Sequence, residues 1–429
     1  MPLLERARGA GVVHVVGAGL AGLSATVRLL ERGARVVVHE AQAWAGGRCR
    51  SFDDPRLGRR IDNGNHLVLS GNTAVLGYLR LLGAEDGLVA EPEAGFHFVD
   101  LADGRRWQVR LNDGPIPWWV TQRDRRIPDT RLVDYLAGAA LSLAGAQTTV
   151  AEAIRTRGPI WTRFWEPLTL AAINTVPERA SARLLWRVLR DSFLKGGAYA
   201  RPMLAPAGLG EALVAPATGW IARNGGEIRH RRVLREILRT EGRAAALAFS
   251  DGVEPLGPDD RVVVALPPAR LRAVLPEIDP PEDSCAILNA FFVLPEAAQP
   301  ALARAPAITG VLSAKTHWIF RRGDVVSLTV SASDALGLDA ADPEELTPRL
   351  WAETRAALGL PAEMTYHACR INKERRATFD QSPAGVARRP KPETDLRNLW
   401  LAGDATDTGL PATIEGAIRS GETAARLAA

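Results

Sequence analysis

The chain has 429 residues, a length that predicts two or three domains. Its 53 Lys and Arg residues nearly balance its 49 Asp and Glu residues, so the net charge of +4 provides no chain-wide field to attract nucleic acid. An apolar share of 46% excludes disorder over any large part of the chain. Three cysteines cannot build a disulfide framework, and no CxxC or HExxH spacing indicates a metal site. We expect a reducing compartment, no metal and no nucleic acid.

Two segments bear on localisation. Residues 1–10 are charged and contain no apolar segment of signal-peptide length. The longest apolar stretch, residues 135–146, is well below the roughly 20 residues that span a bilayer. We therefore expect a cytoplasmic protein without a transmembrane helix.

The predicted elements follow the pattern of an α/β protein. Continuous apolar runs that end at glycine indicate buried parallel strands, and a 3.6-residue period indicates helices. In chain order we predict a strand at 12–16, a helix at 20–32, a strand at 35–39, a hairpin of 96–99 with 107–111, a largely helical region at 122–199, a three-strand meander of 233–238, 244–249 and 261–266, strands of a second sheet at 285–294, 317–320 and 325–330, a strand at 399–402 and a helix at 413–427.

A glycine pattern, Gly-Ala-Gly-Leu-Ala-Gly at residues 17–22, stands between the first strand and the first helix. Its glycines permit a tight turn, a close approach of the backbone to a pyrophosphate, and packing of the helix on the sheet. Glu40 ends the next strand, where an acid can accept hydrogen bonds from ribose hydroxyls. The motif predicts a dinucleotide site, and its expected phosphate contacts are Gly17, Gly19, Leu20, Ala21 and Gly22.

Two later segments favour FAD over NAD. Gly47 and Arg48 follow Glu40, where a second glycine turn can approach the pyrophosphate and the arginine can lie over it. Far along the chain Gly403 and Asp404 end a short strand, and there the aspartate can hydrogen-bond the ribityl or pyrophosphate part of an extended flavin. NAD would not need a contact so distant in sequence. We therefore predict FAD as the cofactor.

Further cofactor contacts are expected near the last helix and the meander. Thr413 is a candidate N-cap and Ile414 follows it, so the N-terminus of this helix can face the flavin and stabilise negative charge on the reduced ring. Val233, at the start of the predicted meander, is another candidate contact.

The residues Asp62, Asn63, Gly64, Asn65 and His66 form a dense polar cluster beside an apolar run. Turn chemistry alone accounts for such a cluster about as well as function does. The functional interpretation places Asn63 and Gly64 close to the flavin. It leaves Asp62, Asn65 or His66 to face the substrate.

Taken together, these segments resemble the flavin-containing amine oxidase and carotenoid desaturase superfamily, and within it the hydroxysqualene dehydroxylase family. The cofactor motifs are common to the superfamily, whereas the polar cluster and residues 165–181 are narrower signals. The stretches that carry the resemblance are residues 17–22, 40–52, 61–72, 164–181, 189–193 and 400–421.

The resemblance implies an α/β fold, in which a discontinuous Rossmann-like FAD-binding domain carries an inserted α+β substrate domain with a mixed sheet. It also implies an FAD-dependent oxidoreductase of bacterial squalene and hopanoid biosynthesis, which converts hydroxysqualene, a long apolar isoprenoid, to squalene. By analogy Glu40 binds the ribose, Arg48 the pyrophosphate side and Asp404 the ribityl side. The expected FAD-binding parts are residues 1–95, 201–268 and 391–429, and the expected substrate parts are residues 96–200 and 269–390.

Replacing an allylic hydroxyl by hydrogen requires a proton donor, tolerance of an allylic cation, and a hydride from the flavin. Asp62 and His66 are the candidate catalytic residues, because burial under a hydrocarbon would raise the pKa of a carboxyl group. Aromatic faces stabilise cations, although aromatics at helical spacing are more typical of a plain core. The candidate substrate contacts are Asn65, Trp161, Phe164, Trp165 and Phe193.

A substrate of this kind is nearly insoluble in water, so we expect delivery from the inner face of the cytoplasmic membrane. Trp118 and Trp119, followed by Arg123, Arg125 and Arg126, pair interfacial aromatics with cations suited to anionic headgroups. A packed strand followed by a solvated loop would explain the same residues equally well.

Two alternatives to the dehydroxylase remain at this point. A desaturase of a carotenoid or polyprenyl chain would share every cofactor motif. A non-catalytic lipid or prenyl carrier on the same fold would not need Glu40, Gly403 and Asp404, so their presence argues against it. The sequence does not identify the electron donor that reduces the flavin.

Overall fold

The computed structural model describes residues 11–429, so the segment 1–10, for which we expected no signal peptide, lies outside the described residues. In chain order the strands are β1 (Val12–Val16), β2 (Arg35–His39), β3 (Ser51–Asp54), β4 (Arg59–Asp62), β5 (Val68–Leu69), β6 (Val89–Ala90), β7 (Gly95–Asp100), β8 (Arg106–Arg110), β9 (Pro202–Leu204), β10 (Glu227–Arg229), β11 (Leu234–Thr240), β12 (Arg243–Phe249), β13 (Gly252–Pro255), β14 (Arg261–Val264), β15 (Ser284–Val293), β16 (Ile308–Leu312), β17 (Trp318–Arg322), β18 (Val325–Ser331), β19 (Ala368–Phe379) and β20 (Leu399–Leu401).

The α-helices are α1 (Leu20–Glu31), α2 (Thr73–Leu82), α3 (Val150–Ala153), α4 (Glu166–Ile173), α5 (Ala182–Asp191), α6 (Ala215–Arg223), α7 (Pro268–Val274), α8 (Gln299–Arg304), α9 (Pro343–Leu358), α10 (Pro383–Ala387) and α11 (Ile414–Leu427). Single π-helical turns precede two of them, at Trp161–Trp165 and Gly210–Val214. The longest 3-10 segment is Leu132–Leu143.

A five-stranded parallel sheet has the order β10-β2-β1-β14-β20. Helices α1 and α11 pack closely together on one face of this sheet. The close approach requires glycine at residue 421, because a Cβ there would lie 2.2 Å from the Ala21 carbonyl oxygen. The Ser24 hydroxyl donates to the Ile418 carbonyl across the same contact. Since the strands are parallel, the turns after β1, β2, β14 and β20 all lie at one edge, where open α/β sheets bind their ligands.

The meander differs from its prediction in one strand. Strands β11, β12 and β13 form an antiparallel sheet, as expected for residues 233–238 and 244–249, but its third strand is Gly252–Pro255. The predicted third strand, 261–266, is instead β14, which pairs in parallel with β1 and β20 at the centre of the first sheet. Its apolar run, with Val262 and Val263 fully buried, is typical of a parallel strand covered on both faces.

The second sheet has seven strands in the order β19-β15-β18-β17-β16-β7-β8, and it is antiparallel except between β16 and β7. It includes the predicted hairpin of β7 with β8 and the predicted strands at 285–294, 317–320 and 325–330. Alternation along β15 sends Leu288, Ala290 and Phe292 into a core with Trp351 of α9, and sends Asn289 and Phe291 to the opposite face.

The region 122–199, predicted as largely helical, consists of short pieces separated by turns. Asn174 ends α4 in the left-handed conformation with φ of 51°, and Pro167 stands in the first turn of α4. These pieces pack around one core, so the region holds together by tertiary contacts rather than by long helices.

The predicted FAD-binding parts contain all five strands of the parallel sheet, and the predicted substrate parts contain the seven-stranded sheet apart from Gly95, its first residue. The domain boundaries themselves stay a prediction. Among the helices of residues 11–429, none is both long enough and apolar enough to cross a membrane.

Candidate cofactor and active site

The turn after β1 is a glycine cradle at the edge of the parallel sheet. Gly17 has a φ of 105°, and a Cβ on Gly22 would lie 1.8 Å from the Gly17 carbonyl oxygen, so neither position accepts a side chain. Among residues 11–429, no atom lies within 4 Å of where a Cβ on Gly19 would stand, which leaves open space over the start of α1. Leu20 and Ala21 begin α1 there, and the free N–H groups of the helix N-terminus suit a phosphate.

Glu40 directly follows β2 beside this cradle. Its Oε2 atom accepts a hydrogen bond of 2.7 Å from the Ala18 amide, and its Oε1 atom accepts one of 2.8 Å from the Gln42 amide. The amide of Arg232 donates to the Glu40 carbonyl, and this bond brings the next residue, Val233, to the same corner. The structure therefore places the predicted ribose acid and Val233 together.

A second glycine turn closes on the first. The amide of Gly46 donates to the Ala18 carbonyl at 2.8 Å, and a Cβ on Gly47 would lie 3.4 Å from the Cα atom of Gly19. Gly46 and Gly47 have φ angles of 104° and 55°. The two turns thus form one continuous backbone surface that a pyrophosphate can approach closely.

Arg48 joins this surface to the far end of the chain. Its Nη2 atom lies 2.6 Å from the Asp404 Oδ1 atom, and its Nη1 atom donates to the Ala377 carbonyl at 2.6 Å. The Asp404 carboxylate raises the pKa of Arg48. Gly403, with φ of 137°, allows the turn after β20 that brings Asp404 here.

The last helix begins beside Asp404. The Thr413 hydroxyl accepts a hydrogen bond from the Gly416 amide at 3.1 Å, so Thr413 is the N-cap and Ile414 the first helical residue. Arg389, which sequence reasoning missed, fixes the intervening loop: its guanidinium, with a fully buried side chain, donates to the carbonyls of Asp404, Thr406 and Leu410.

These residues fit FAD. Two glycine turns, a ribose acid and the Arg48–Asp404 pair come from both ends of the chain and meet at one sheet edge, as an extended dinucleotide requires. The open space at Gly19 is where a pyrophosphate would lie against backbone N–H groups. By contrast, no group of three or more His, Cys, Asp or Glu side chains within residues 11–429 is arranged to hold a metal ion.

The polar cluster, residues 62–66, lies against the seven-stranded sheet. Asp62 is tightly held: its Oδ1 atom accepts hydrogen bonds from the Ser51 hydroxyl and the Leu209 amide, and its Oδ2 atom lies 2.8 Å from the Arg322 guanidinium. These contacts give the position of Asp62 a structural explanation. Its role as a proton donor stays a prediction.

His66 has a different environment. Its Nδ1 atom lies 3.0 Å from the Gly64 carbonyl oxygen, and burial lowers its pKa. A neutral imidazole that donates from Nδ1 keeps a lone pair on Nε2. His66 is thus suited to accept a hydrogen bond near neutral pH.

Asn63, Gly64 and Asn65 contact the seven-stranded sheet. The Asn63 side chain donates to Glu374 at 3.2 Å, and the Asn65 side chain donates to the Thr329 hydroxyl at 3.1 Å. A Cβ on Gly64 would lie 3.0 Å from the Asn289 side-chain nitrogen. Sequence reasoning missed Asn289 and Glu374, although a lone asparagine within the apolar strand β15 was a visible signal.

The predicted substrate aromatics form the core of the helical region. Trp161 and Trp165 are only 8% and 3% exposed, and Trp165 packs directly against Gly138. Phe164 contacts Trp165, while Phe193 lies 5.8 Å from Phe96 between ring centroids. These contacts are those of a packed core, and a role in substrate binding stays a prediction.

Comparison with known proteins places this architecture in one class of flavoenzyme. The sequence profile described as "Flavin containing amine oxidoreductase" matches residues 20–429. A solved structure of a putative protoporphyrinogen oxidase from Exiguobacterium sp. is similar in fold, with a TM-score of 0.69 at 16% identity, over 98% of this chain and 99% of that one. The chain belongs to the flavin-containing amine oxidoreductase family, and it is an FAD-dependent oxidoreductase. The predicted α/β fold class and FAD cofactor are confirmed.

Closer relatives define the group within that family. The hydroxysqualene dehydroxylase of Rhodopseudomonas palustris is 43% identical over 97% of this chain and 97% of its own length. That of Sinorhizobium fredii is 43% identical over 97% of this chain and 98% of its own length. Within the family the chain is therefore a member of the hydroxysqualene dehydroxylases, as the sequence resemblance predicted.

Proposed function

We propose that this protein catalyses the reductive dehydroxylation of hydroxysqualene to squalene in bacterial squalene and hopanoid biosynthesis. The observation that carries the proposal is the position of residues 62–66. They contact a row of polar side chains on the seven-stranded sheet, and the Asn63 amide donates to the carbonyl of Arg50, two residues after Arg48. One hydroxyl on a long hydrocarbon could be recognised there. Reduced FAD, when bound, supplies the hydride that replaces the hydroxyl.

The chain's own residues bind and orient. The backbone of Gly17, Gly19 and Gly47 would hold the pyrophosphate, and Glu40 would accept hydrogen bonds from the ribose. Arg48 would lie at the pyrophosphate side of the cofactor, and Asp404, which is paired with it, at the ribityl side. We propose that Thr413 and Ile414 present the N-terminus of α11 to the ring, where its dipole favours negative charge on the reduced flavin.

We propose different roles for the two candidate catalytic residues, Asp62 and His66. Asp62 is bound to Arg322, Ser51 and the Leu209 amide, so we assign it to fixing the position of the loop. His66, kept neutral by burial, can accept the hydrogen bond of a substrate hydroxyl at Nε2. Of the candidate substrate contacts, Phe164 and Phe193 are only partly buried and are the aromatics best placed to face a hydrocarbon.

The experiment uses the FAD-loaded protein under anaerobic conditions. After photoreduction, hydroxysqualene is added, the flavin absorbance is followed, and the product is extracted for mass spectrometry. We expect reoxidation of the flavin and one squalene per flavin. A flavin that stays reduced in the presence of substrate would contradict the proposal. The desaturase alternative predicts the opposite direction, namely reduction of oxidised flavin by a polyprenyl chain with a more unsaturated product.

We further propose that the protein takes this apolar substrate from an anionic bilayer through an apolar surface patch. We define the patch by its exposed members, which are Ile116, Trp118, Leu132, Val133, Leu136 and Leu143. The four leucine and valine side chains come from the single 3-10 segment Leu132–Leu143. Arg123 and Arg131 are exposed beside them and suit anionic headgroups.

The structure corrects one residue of the predicted membrane contact. Trp118 is 46% exposed and lies under the Arg125 guanidinium, but Trp119 is 8% exposed and packs edge-on against Tyr135. Trp119 is therefore a core residue and cannot reach a membrane. The reason is local: consecutive residues of a short 3-10 turn point in different directions.

Flotation with vesicles that contain phosphatidylglycerol tests the patch. We expect Leu136→Ser with Leu143→Ser to reduce the vesicle partition coefficient by about 100-fold or more, since each leucine side chain contributes on the order of 1.5–3 kcal/mol when fully buried in lipid. Val253→Ser is the matched control, because Val253 is 59% exposed in the meander, outside the patch. Equal flotation of the double variant and the wild type would exclude the patch as the membrane contact.

A further inference from the structure

Three neighbouring strands of the second sheet carry a row of polar side chains. Asn289 at the centre of β15 is paired in register with Asn372 of β19 and with Thr329 of β18. Asn289 is 1% exposed, and it lies on the face of β15 opposite to the α9 core. Residues 62–66 cover this row from above, with Gly64 against the Asn289 side-chain nitrogen.

The hydrogen bonds in this cluster have a fixed direction. The Ser327 hydroxyl donates to the Asn65 side-chain oxygen at 2.8 Å, and the Asn65 side-chain nitrogen donates to the Thr329 hydroxyl at 3.1 Å. The Thr329 hydroxyl in turn donates to the Asn289 Oδ1 atom at 2.8 Å. The backbone amide of Asn65 also donates to this Oδ1 atom, at 3.3 Å. Because the Thr329 hydroxyl and the Asn65 backbone amide both donate to the same Oδ1 atom, the orientation of the Asn289 amide is determined.

This orientation leaves the other end of the amide without a partner. The Asn289 Nδ2 atom carries two N–H groups, yet within residues 11–429 it donates to no oxygen or nitrogen. A buried amide normally finds an acceptor, so an unused pair of donors beside Gly64 points to an acceptor that a ligand provides. A Cβ on Gly64 would crowd this nitrogen at 3.0 Å, so the glycine keeps a side chain away from it.

We infer that the Asn289 side-chain amide donates a hydrogen bond to the leaving oxygen of the substrate, an inference that rests on the proposed function. In the reaction the carbon–oxygen bond breaks with its electron pair going to oxygen. The oxygen takes a proton from solvent and leaves as water, and the carbon gains the hydride that the reduced cofactor supplies. The N–H group of Asn289 stabilises the negative charge that develops on the oxygen. Thr329 and Asn65 are positioning residues, since they act only by orienting Asn289.

Asn289→Asp and Asn289→Leu together test the donor. The aspartate has the same shape and keeps the oxygen that accepts from Thr329 and Asn65, but it replaces the donating nitrogen with a second oxygen and adds a buried charge when ionised. The leucine has a similar volume and brings neither a donor nor a charge, so both variants should lose the rate. In the FAD-loaded enzyme we expect the rate of flavin reoxidation by saturating hydroxysqualene to fall about 100-fold, with KM changed far less, because the bond strengthens as charge develops. Thr329→Val should lower the same rate by about 10-fold, as expected when a positioning residue is lost.

The controls separate this inference from its alternatives. Thr309→Val alters another buried threonine of the same sheet and should leave the rate unchanged. If Asn289→Asp reacts at the wild-type rate while the wild type forms squalene, the inference is wrong and the proposed function stands. If the variant shifts the reduction potential of the flavin in step with the lost rate, the amide serves the cofactor instead, and the inference is also wrong. If the wild type forms no squalene, the proposed function itself fails.

Discussion

The cofactor edge, which comprises the turns that follow β1, β2 and β20, contrasts with the helical region at residues 122–199. At the cofactor edge the important residues are held by backbone geometry: Gly17 and Gly22 have no room for a Cβ, while Gly19 has open space. In the helical region the prominent residues are large aromatics that fill a core. The contrast shows that a chemical role can be inferred from sequence where the backbone itself makes the site. It cannot be inferred where side chains from several elements pack together.

The largest effect on cofactor binding is expected at the cofactor edge, from Gly19→Val. The φ of Gly19 is −72°, which any residue can adopt, and its Cβ would enter open space, so the chain should fold normally. The added side chain would occupy the position of the pyrophosphate. We expect FAD affinity to fall by at least about 100-fold, or about 2.7 kcal/mol, as measured by isothermal titration of the apoprotein.

Gly145→Val is the matched control for this substitution. Gly145 lies in the helical region, and a Cβ there would meet only the Thr148 hydroxyl, at 3.4 Å. FAD affinity should be unchanged in this variant. Normal FAD affinity in Gly19→Val would show that the glycine cradle does not hold the phosphates, and the contrast between the two regions would lose its basis.

The second prediction concerns the helical region. Trp165 is 3% exposed and packs on Gly138, so Trp165→Ala should lower the free energy of unfolding by about 3–5 kcal/mol without altering FAD affinity. Urea denaturation of the apoprotein measures the first effect, and titration measures the second. Trp118→Ala, at a 46% exposed tryptophan just before this region, should change stability by less than about 0.5 kcal/mol. A Trp165 variant of normal stability that turns over slowly would instead support the predicted contact with substrate.

The sequence was sufficient for features that depend on local geometry. The glycine turn, Glu40 and the turn at Asp404 each follow an apolar strand, and the parallel arrangement of those strands brings them together. The assignment of residues 261–266 to the meander failed, because an apolar run does not reveal which sheet it joins. Strand β19 was not predicted, since its charged residues alternate without a fully buried face.

The candidate site shows the same limit. The role inferred for Asn289 depends on the hydrogen bonds that it accepts from Thr329 and Asn65. No spacing in the sequence relates these three residues. Asp62 had the residue type of a catalytic acid, but Arg322, distant in the chain, binds its carboxylate. Arg389 is the reverse case: an arginine among 53 cationic residues whose role as a loop anchor depends on three carbonyls. In each case the decisive partner comes from another element.

The smallest effect we predict is an acid sensitivity that belongs to the cofactor edge. His14 of β1 and His39 of β2 are buried with ring nitrogens 3.1 Å apart, and a nitrogen of the Arg232 guanidinium lies 3.2 Å from the other His39 ring nitrogen. Burial, with the neighbouring His14 and Arg232, lowers the pKa of His39 from 6.5 to about 3. Burial also lowers the pKa of His14.

The direction of the pH effect follows from proton binding. Below pH 6.5 His39 is protonated in the unfolded chain but not in the folded chain, so acid favours unfolding. The stability that is present above pH 6.5 is therefore lost as the pH falls toward 3. Between pH 7 and pH 5 His39 alone should remove about 2 kcal/mol from the free energy of unfolding. His39→Gln keeps a polar side chain there and should flatten this slope, whereas the control His230→Gln, at an exposed histidine, should not. Denaturant titrations at a series of pH values measure the slope. An equal slope in His39→Gln and wild type would mean that the acid sensitivity does not arise from His39.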